Sequence, residues 1–181
     1  MLQIRRAEAT DASLIADLSR QTFLETFAAQ NSKDNMEKFM REQFSREKLM
    51  AEVMDQTNDF YIAWEEQEPA GYLKLRKGEP IPELGDSPAI EIARIYVSSR
   101  HIGKGVGQQL MQKAIDNAIE ERIPIIWLGV WEKNERAIQF YTRWGFKKFS
   151  THVFMLGDDP QTDWLMYRPV ESDSVTRSGS N

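Results

Sequence analysis

Apolar residues recur along this chain with two different periods. Strict alternation with charged residues predicts a strand, and spacing of three and four predicts a helix. Residues 2–7 alternate and predict an opening strand. Thr10 and Asp11 read as a helix N-cap ahead of Leu14, Ile15, Leu18 and Phe23. Further along that helix, Thr22-Phe23 and Thr26-Phe27 are two Thr-Phe pairs four residues apart, which puts both rings on one face. Such a stripe faces a core, while Thr22, Glu25 and Thr26 could line a pocket for a substrate. Ser32 and Ser45 stand as N-caps before two amphipathic segments, residues 33–44 and 46–55. Met36, Phe39, Met40 and Phe44 mark the buried side of the first, and Leu49, Val53 and Met54 that of the second.

Residues 59–64 and 70–76 predict two strands of a hairpin, and the Gly- and Pro-rich residues 77–88 predict a loop. A strand over residues 89–97 follows, then a helix over 104–122 that buries Val106, Leu110, Ala114, Ile115 and Ile119. Residues 125–130 are continuously apolar, as a central strand covered on both faces would be. A helix over residues 134–144 closes on Gly145 at its C′ position. Residues 146–155 and 164–168 predict closing strands, joined through the turn residues Gly157, Asp158, Asp159 and Pro160. Residues 171–181 are polar and Ser-rich with little to bury, so they predict a disordered tail behind one domain over 1–170. Mixed helices and strands give an α/β (α+β) class. No internal repeat is present.

Composition narrows the picture. A chain of 181 residues suits one domain with its own core. The net charge of −5 argues against a nucleic acid or an anionic membrane as partner and suits a cationic substrate. There is no cysteine, which removes disulfides, thiolate metal ligands and any acyl-cysteine route. His101 and His152 are too few and too far apart for a metal site, and neither takes a role. The opening residues carry Arg5, Arg6, Glu8 and Asp11, unlike a secretion signal, and no apolar run is long enough to span a bilayer. A cytoplasmic location is the expectation.

The chain is organised around the stretch that leaves the strand over residues 89–97. Gly103, Gly105 and Gly107 fall on alternate positions just where a helix begins. Glycines let successive N–H groups turn into one concavity, and a helix N-terminus adds partial positive charge. Such a unit binds a phosphate or diphosphate, unless it is a glycine-rich connector. It is not a Walker loop, because Lys104 is followed by Gly105 rather than Ser or Thr. It is not a Rossmann turn either, since the spacing is Gly-x-Gly-x-Gly and no acidic strand tip follows.

A second motif lies some thirty residues on: Asn134, Ala137, Tyr141, Gly145 and Phe146, spaced as Asn-x-x-Ala-x-x-x-Tyr-x-x-x-Gly-Phe. Together with the glycine turn it resembles the GNAT superfamily of acetyl-CoA-dependent N-acetyltransferases. The stretch from Ile126 to Glu135, the two Thr-Phe pairs and the turn from Gly157 to Asp163 are similar to bacterial spermine/spermidine N-acetyltransferases. Those proteins are also described as negative regulators of protease production and sporulation. The resemblance implies a single mixed, mostly antiparallel sheet of about seven strands flanked by helices, with acetyl-CoA as co-substrate and no metal.

It also implies roles. The backbone of Ile102, Gly103, Lys104, Gly105, Val106 and Gly107 would hold the coenzyme diphosphate. One departure stands out: Ile102 occupies the family's Gln/Arg position, so no side chain there assists. Ile95, Tyr96 and Val97 would pair with the pantetheine arm as an added strand. Asn134 and Tyr141, two helical turns apart, share a helix face about 10 Å apart. Asn134 would bind the arm, and Tyr141 would protonate the leaving thiolate unless it is only a packed aromatic.

The acceptor amine must lose a proton before it attacks. Glu91, eleven residues before Ile102, matches the family's glutamate base. Glu91 and Arg94 also interrupt an apolar strand, so a buried ion pair competes with that reading. A polyamine groove would combine carboxylates with aromatic walls, for which Glu25, Glu132, Asp158, Asp159, Trp131 and Phe27 are candidates. Attack would be direct, in a ternary complex. The substrate expected is a small polyamine, with other amines or a CoA-sensing regulator as alternatives, and a homodimer stays open.

Overall fold

The computed structural model describes residues 1–171; the rest of the predicted tail lies outside them. Seven strands form one sheet: β1 (Leu2–Arg6), β2 (Asn58–Glu65), β3 (Glu68–Lys77), β4 (Ala89–Val97), β5 (Ile125–Trp131), β6 (Lys147–Leu156) and β7 (Asp159–Pro169). Their order is β1-β2-β3-β4-β5-β7-β6. Every neighbouring pair is antiparallel except β4 and β5. Five helices cover the sheet: α1 (Ala12–Phe27), α2 (Lys33–Glu42), α3 (Arg46–Met54), α4 (Val106–Glu120) and α5 (Glu135–Arg143). The predicted mixed sheet with flanking helices is what the chain forms.

Alternation sorts the side chains to two faces. Leu73, Leu75, Ile90, Ile92, Ile126, Leu128 and Val130 point to the face covered by α4 and α5. Leu110, Met111, Ala114 and Ala118 make the buried stripe of α4, all with no exposed surface. Burying a leucine in this way stabilises by roughly 1.5–3 kcal/mol. The other face carries Phe60, Ile62 and Tyr72 against Ile15 and Leu18 of α1. A separate cluster of Phe23, Met36, Phe39, Met40, Phe44, Leu49 and Leu156 ties α1, α2 and α3 to the tip of β6.

The caps expected at Ser32 and Ser45 are present: their Oγ atoms accept from Asn35 N–H and Lys48 N–H, each at 3.3 Å. Ser32→Ala should lower unfolding stability by about 1 kcal/mol, with little effect on turnover, as measured by denaturant titration. The turn between β6 and β7 is tighter than expected, only Gly157 and Asp158, so β7 begins at Asp159 rather than Trp164. Pro160 is tolerated there because β7 pairs with β5 only from Asp163 onward, leaving an edge before it. That turn docks on α2 through Asp158 N–H to Asn35 Oδ1 at 2.9 Å and Lys38 Nζ to Asp158 at 2.5 Å.

Candidate active site

Parallel strands β4 and β5 stay paired for three rungs, Ala89 with Ile125, Ile90 with Ile126 and Glu91 with Trp127. Beyond Glu91 they part. The register of β4 against β3 also shifts, leaving Ala93 without a partner on β3, as a bulge does. The remainder of β4, which includes Ile95, Tyr96 and Val97, thus has no strand beside it on the β5 side. An extended, amide-bearing chain can pair with such an edge.

The turn after β4 is braced on all sides. Ser98 N–H donates to Ala70 O at 2.9 Å, and Glu25 accepts Ser99 N–H at 2.9 Å. Buried His101 bonds Ser98 Oγ through Nδ1 at 2.6 Å and meets Glu65 through Nε2 at 3.2 Å. Lys104 Nζ reaches the same Glu65 oxygen at 3.2 Å. Gly103 and Gly105 hold φ of +84° and +82°, a conformation that costs little only without a Cβ. α4 therefore starts at Val106, two residues later than predicted, with Gly105 as its N-cap. Among the described residues nothing accepts the N–H groups of Val106, Gly107 or Gln108, and the first backbone bond is Gln109 to Gly105 at 3.1 Å. These orphan donors at a helix N-terminus suit a diphosphate. Ile102 sits exposed beside them and adds no polar group.

α5 lies next to that N-terminus: a Cβ on Gly107 would stand 3.7 Å from Val97 Cγ2 and 3.8 Å from Phe140 Cζ. Asn134 caps α5, its Oδ1 accepting Ala137 N–H at 3.2 Å. Its Nδ2 has no protein partner among the described residues and is left to donate. α5 ends in the turn that Gly145 permits, with Phe146 N–H donating to Tyr141 O at 3.1 Å. That closure fixes Tyr141 between Phe140 and Phe146, with ring centroids 5.6 and 6.0 Å away. Burial pushes the Tyr141 phenol above its usual range, so it stays protonated. Its hydroxyl bonds nothing among the described residues.

The sheet face opposite α4 and α5 carries a second group of side chains. Tyr96 lies within electrostatic reach of both Tyr141 and Asp163, and burial raises its own phenol. Phe27 lies edge-on to Tyr96 at 6.3 Å and to Trp131 at 6.1 Å. Asp163 of β7 stands opposite Trp131 of β5 and opposite His152 of β6. Gly129 lies directly beneath the Asp163 and His152 side chains.

Of the residues expected around an acceptor, Trp131 and Phe27 belong to this cluster of rings. Thr22 does not, because it is fully buried with its hydroxyl donating to Leu18 O at 2.8 Å. The Thr26 hydroxyl likewise turns back to Thr22 O at 2.7 Å. Glu25 is taken up by Ser99 and by Gln21 at 2.9 Å. Glu132 is exposed and contributes its backbone N–H to Thr162 O at 3.0 Å. Asp158 pairs with Lys38, and Asp159 accepts from Gln161 at 3.0 Å.

Glu91 and Arg94 do not pair with each other. Arg76 holds Glu91 through Nε at 2.8 Å and Nη2 at 2.6 Å. Arg94 grips Glu52 at 2.6 and 3.0 Å, with buried Lys74 on the same carboxylate at 2.9 Å. The Asp163, His152 and Gly129 group was not foreseen. Its one signal was period-two spacing, which puts Asp163 on the same face as Leu165 and Tyr167 once β7 is extended backwards.

Comparison with known proteins shows the family. A family model described as the acetyltransferase (GNAT) family matches residues 20–146. An uncharacterized N-acetyltransferase of Lactobacillus delbrueckii subsp. lactis is 41% identical over 153 residues, 84% of this chain and 88% of that one. The spermidine N(1)-acetyltransferase of Thermoplasma acidophilum is 23% identical over 175 residues, 94% of this chain and 99% of that one. The crystal structure of the PaiA N-acetyltransferase from Thermoplasma acidophilum in complex with coenzyme A superposes with a TM-score of 0.74 at 22% identity, covering 93% of this chain and 99% of that one. With orphan donors at the glycine turn, an open β4 edge and a family match over most of its length, this chain belongs to the GNAT acetyltransferase family and is an acetyl-CoA-dependent N-acetyltransferase.

Proposed function

We propose that the acceptor is a primary amine of a small polycation of the spermidine type. The observation that carries this reading is the cluster of Phe27, Tyr96 and Trp131 rings on the sheet face opposite α5, with the Asp163 carboxylate beside it. Aromatic faces and a carboxylate attract an ammonium group, and apolar walls suit the methylenes between amines. The acidic balance of the chain and the spermidine acetyltransferase relative point the same way.

The division of labour follows the geometry. Acetyl-CoA supplies an acetyl group activated as a thioester. The N–H groups at the start of α4 hold its diphosphate, the free edge of β4 holds its arm, and Asn134 Nδ2 donates to that arm. Tyr141, kept protonated by its burial, donates its proton to the departing sulfur. Desolvation that raises the phenol also raises the basicity of a thiolate beside it, so the transfer keeps its driving force.

A thiol-release assay across amines tests the reading. Spermidine and spermine should give a higher kcat/KM than lysine peptides or free amino acids. The reverse ranking, with acetyl-CoA still bound, would retire the polyamine and keep the enzyme.

A further inference from the structure

We propose that Asp163, assisted by His152, takes the proton from the acceptor ammonium, which the family resemblance would assign to Glu91. This rests on the reading of the chain as an amine acetyltransferase and deepens it. Asp163 lies on the sheet face that carries Phe27, Tyr96 and Trp131, beside the point where β4 and β5 have already parted. A Cβ on Gly129 would meet Asp163 Oδ2 at 3.6 Å and His152 Cε1 at 3.3 Å, so the absent side chain there is what lets the carboxylate and the imidazole lie over β5. Asp163 Oδ2 stands 3.6 Å from His152 Nε2, and the half-exposed imidazole leads from the carboxylate to water.

Glu91 is placed differently. It sits on the last paired rung, beside Trp127, and Arg76 neutralises it through two nitrogens. A carboxylate gripped by two guanidinium nitrogens has its oxygen already engaged and turned to that partner. Among the described residues no lysine or arginine pairs with Asp163: His152 faces it from β6 and the Tyr96 phenol from β4, while β5 offers Gly129 and Trp131. Burial raises its proton affinity above that of an ordinary aspartate, against the smaller opposing effect of His152.

The proton balance is simple. R–NH3+ gives one proton to the Asp163 carboxylate, which passes it through His152 to water. The freed nitrogen lone pair forms the C–N bond to the acetyl carbon. The C–S bond breaks with its pair on sulfur, which takes the Tyr141 proton. The new amide nitrogen sheds its second proton, which restores the phenol. One proton is released per turnover.

Asp163→Asn, Glu91→Gln and His152→Gln, assayed with spermidine, test this. The Asp163 variant should lose about 10²-fold or more in kcat/KM, the usual range for a lost general base, and at least tenfold more than the Glu91 variant. Its acetyl-CoA affinity by calorimetry should stay within twofold. His152→Gln should lower kcat by less than Asp163→Asn does, with KM for spermidine unchanged, because the carboxylate keeps its place and loses only its route to water.

Stability gives an independent readout. A carboxylate whose folded pKa is raised contributes stability below its unfolded pKa and loses it as pH rises through the folded value. At neutral pH, Asp163→Asn should therefore unfold no lower than wild type. The proposal is overturned if Glu91→Gln loses more turnover than Asp163→Asn. It is also overturned if Asp163→Asn unfolds several degrees lower and no longer binds acetyl-CoA. A wild-type protein that fails to bind acetyl-CoA would instead sink the enzyme reading itself.

Discussion

Tyr141→Phe should turn over about 10²-fold or more slowly than wild type while binding acetyl-CoA with unchanged affinity, the signature of a lost proton donor. The ring is what packs against Phe140 and Phe146, and phenylalanine keeps it. The hydroxyl bonds nothing among the described residues, so removing it leaves no stranded partner and thermal stability should hold. A residue that served only as packing would show the opposite result, with turnover intact. The wild-type pH profile adds a second check. Because burial lifts the phenol above its ordinary value of about 10, no alkaline fall in kcat should come from Tyr141 below that pH. Measured turnover of Tyr141→Phe equal to wild type would remove this residue from the chemistry.

Much of the scaffold that holds Tyr141 was readable from pattern alone. Ser32 and Ser45 cap where expected, and Gly145 ends α5 at the predicted position, because short-range hydrogen bonds depend on a few neighbouring residues. Strand β4 matches residue for residue, since its apolar run is bounded by a proline-rich loop and a polar turn. The ends that shifted were set by tertiary contacts. β7 gains residues before Trp164 only because the β6 hairpin supplies partners for them, and α4 loses Lys104 because the left-handed Gly105 precedes it. Neither effect has a local signature.

The site divides along the same line. The glycine turn and the spacing of Asn134 and Tyr141 are contiguous motifs, and the fold sets Gly107 beside Phe140 of the helix that carries Tyr141. The acceptor side draws from β4, β5, β6, β7 and α1, and sequence proximity misled there. Thr22 sits beside Phe23 in a helix whose buried stripe swallows both, so its hydroxyl turns inward to Leu18. Glu25 looked free, yet it lies where the turn after β4 presents the Ser99 N–H. Glu91 and Arg94, three residues apart, found partners on β3 and α3 because Arg76 lies directly across the ladder from Glu91 and α3 brings Glu52 to Arg94. Asp163 became visible only when Gly129, thirty-four positions earlier, was seen to leave room beside it.

Gly71→Ala should lower stability by about 1–3 kcal/mol, the range for forcing a methyl group into a filled site. Its Cβ would stand 2.5 Å from Tyr96 O and 3.2 Å from Val97 Cα, both backbone atoms that cannot swing aside. At about 2–4 °C per kcal/mol for a chain of this size, Tm falls by roughly 2–12 °C. Gly78→Ala is the matched control, because nothing lies within 4 Å of the added methyl there, and it should be neutral or slightly stabilising. The same displacement reaches function, because the atoms that must yield belong to Tyr96 and Val97, on the free edge of β4. KM for acetyl-CoA should therefore rise in Gly71→Ala with kcat less affected, the reverse of the Tyr141→Phe pattern. Ligand binding offsets the loss, since acetyl-CoA at about a hundred times its Kd adds about 2.7 kcal/mol to the folded state. A variant with lowered Tm but an unchanged KM would show that the coenzyme arm does not use this end of β4, and the open strand edge would need another occupant.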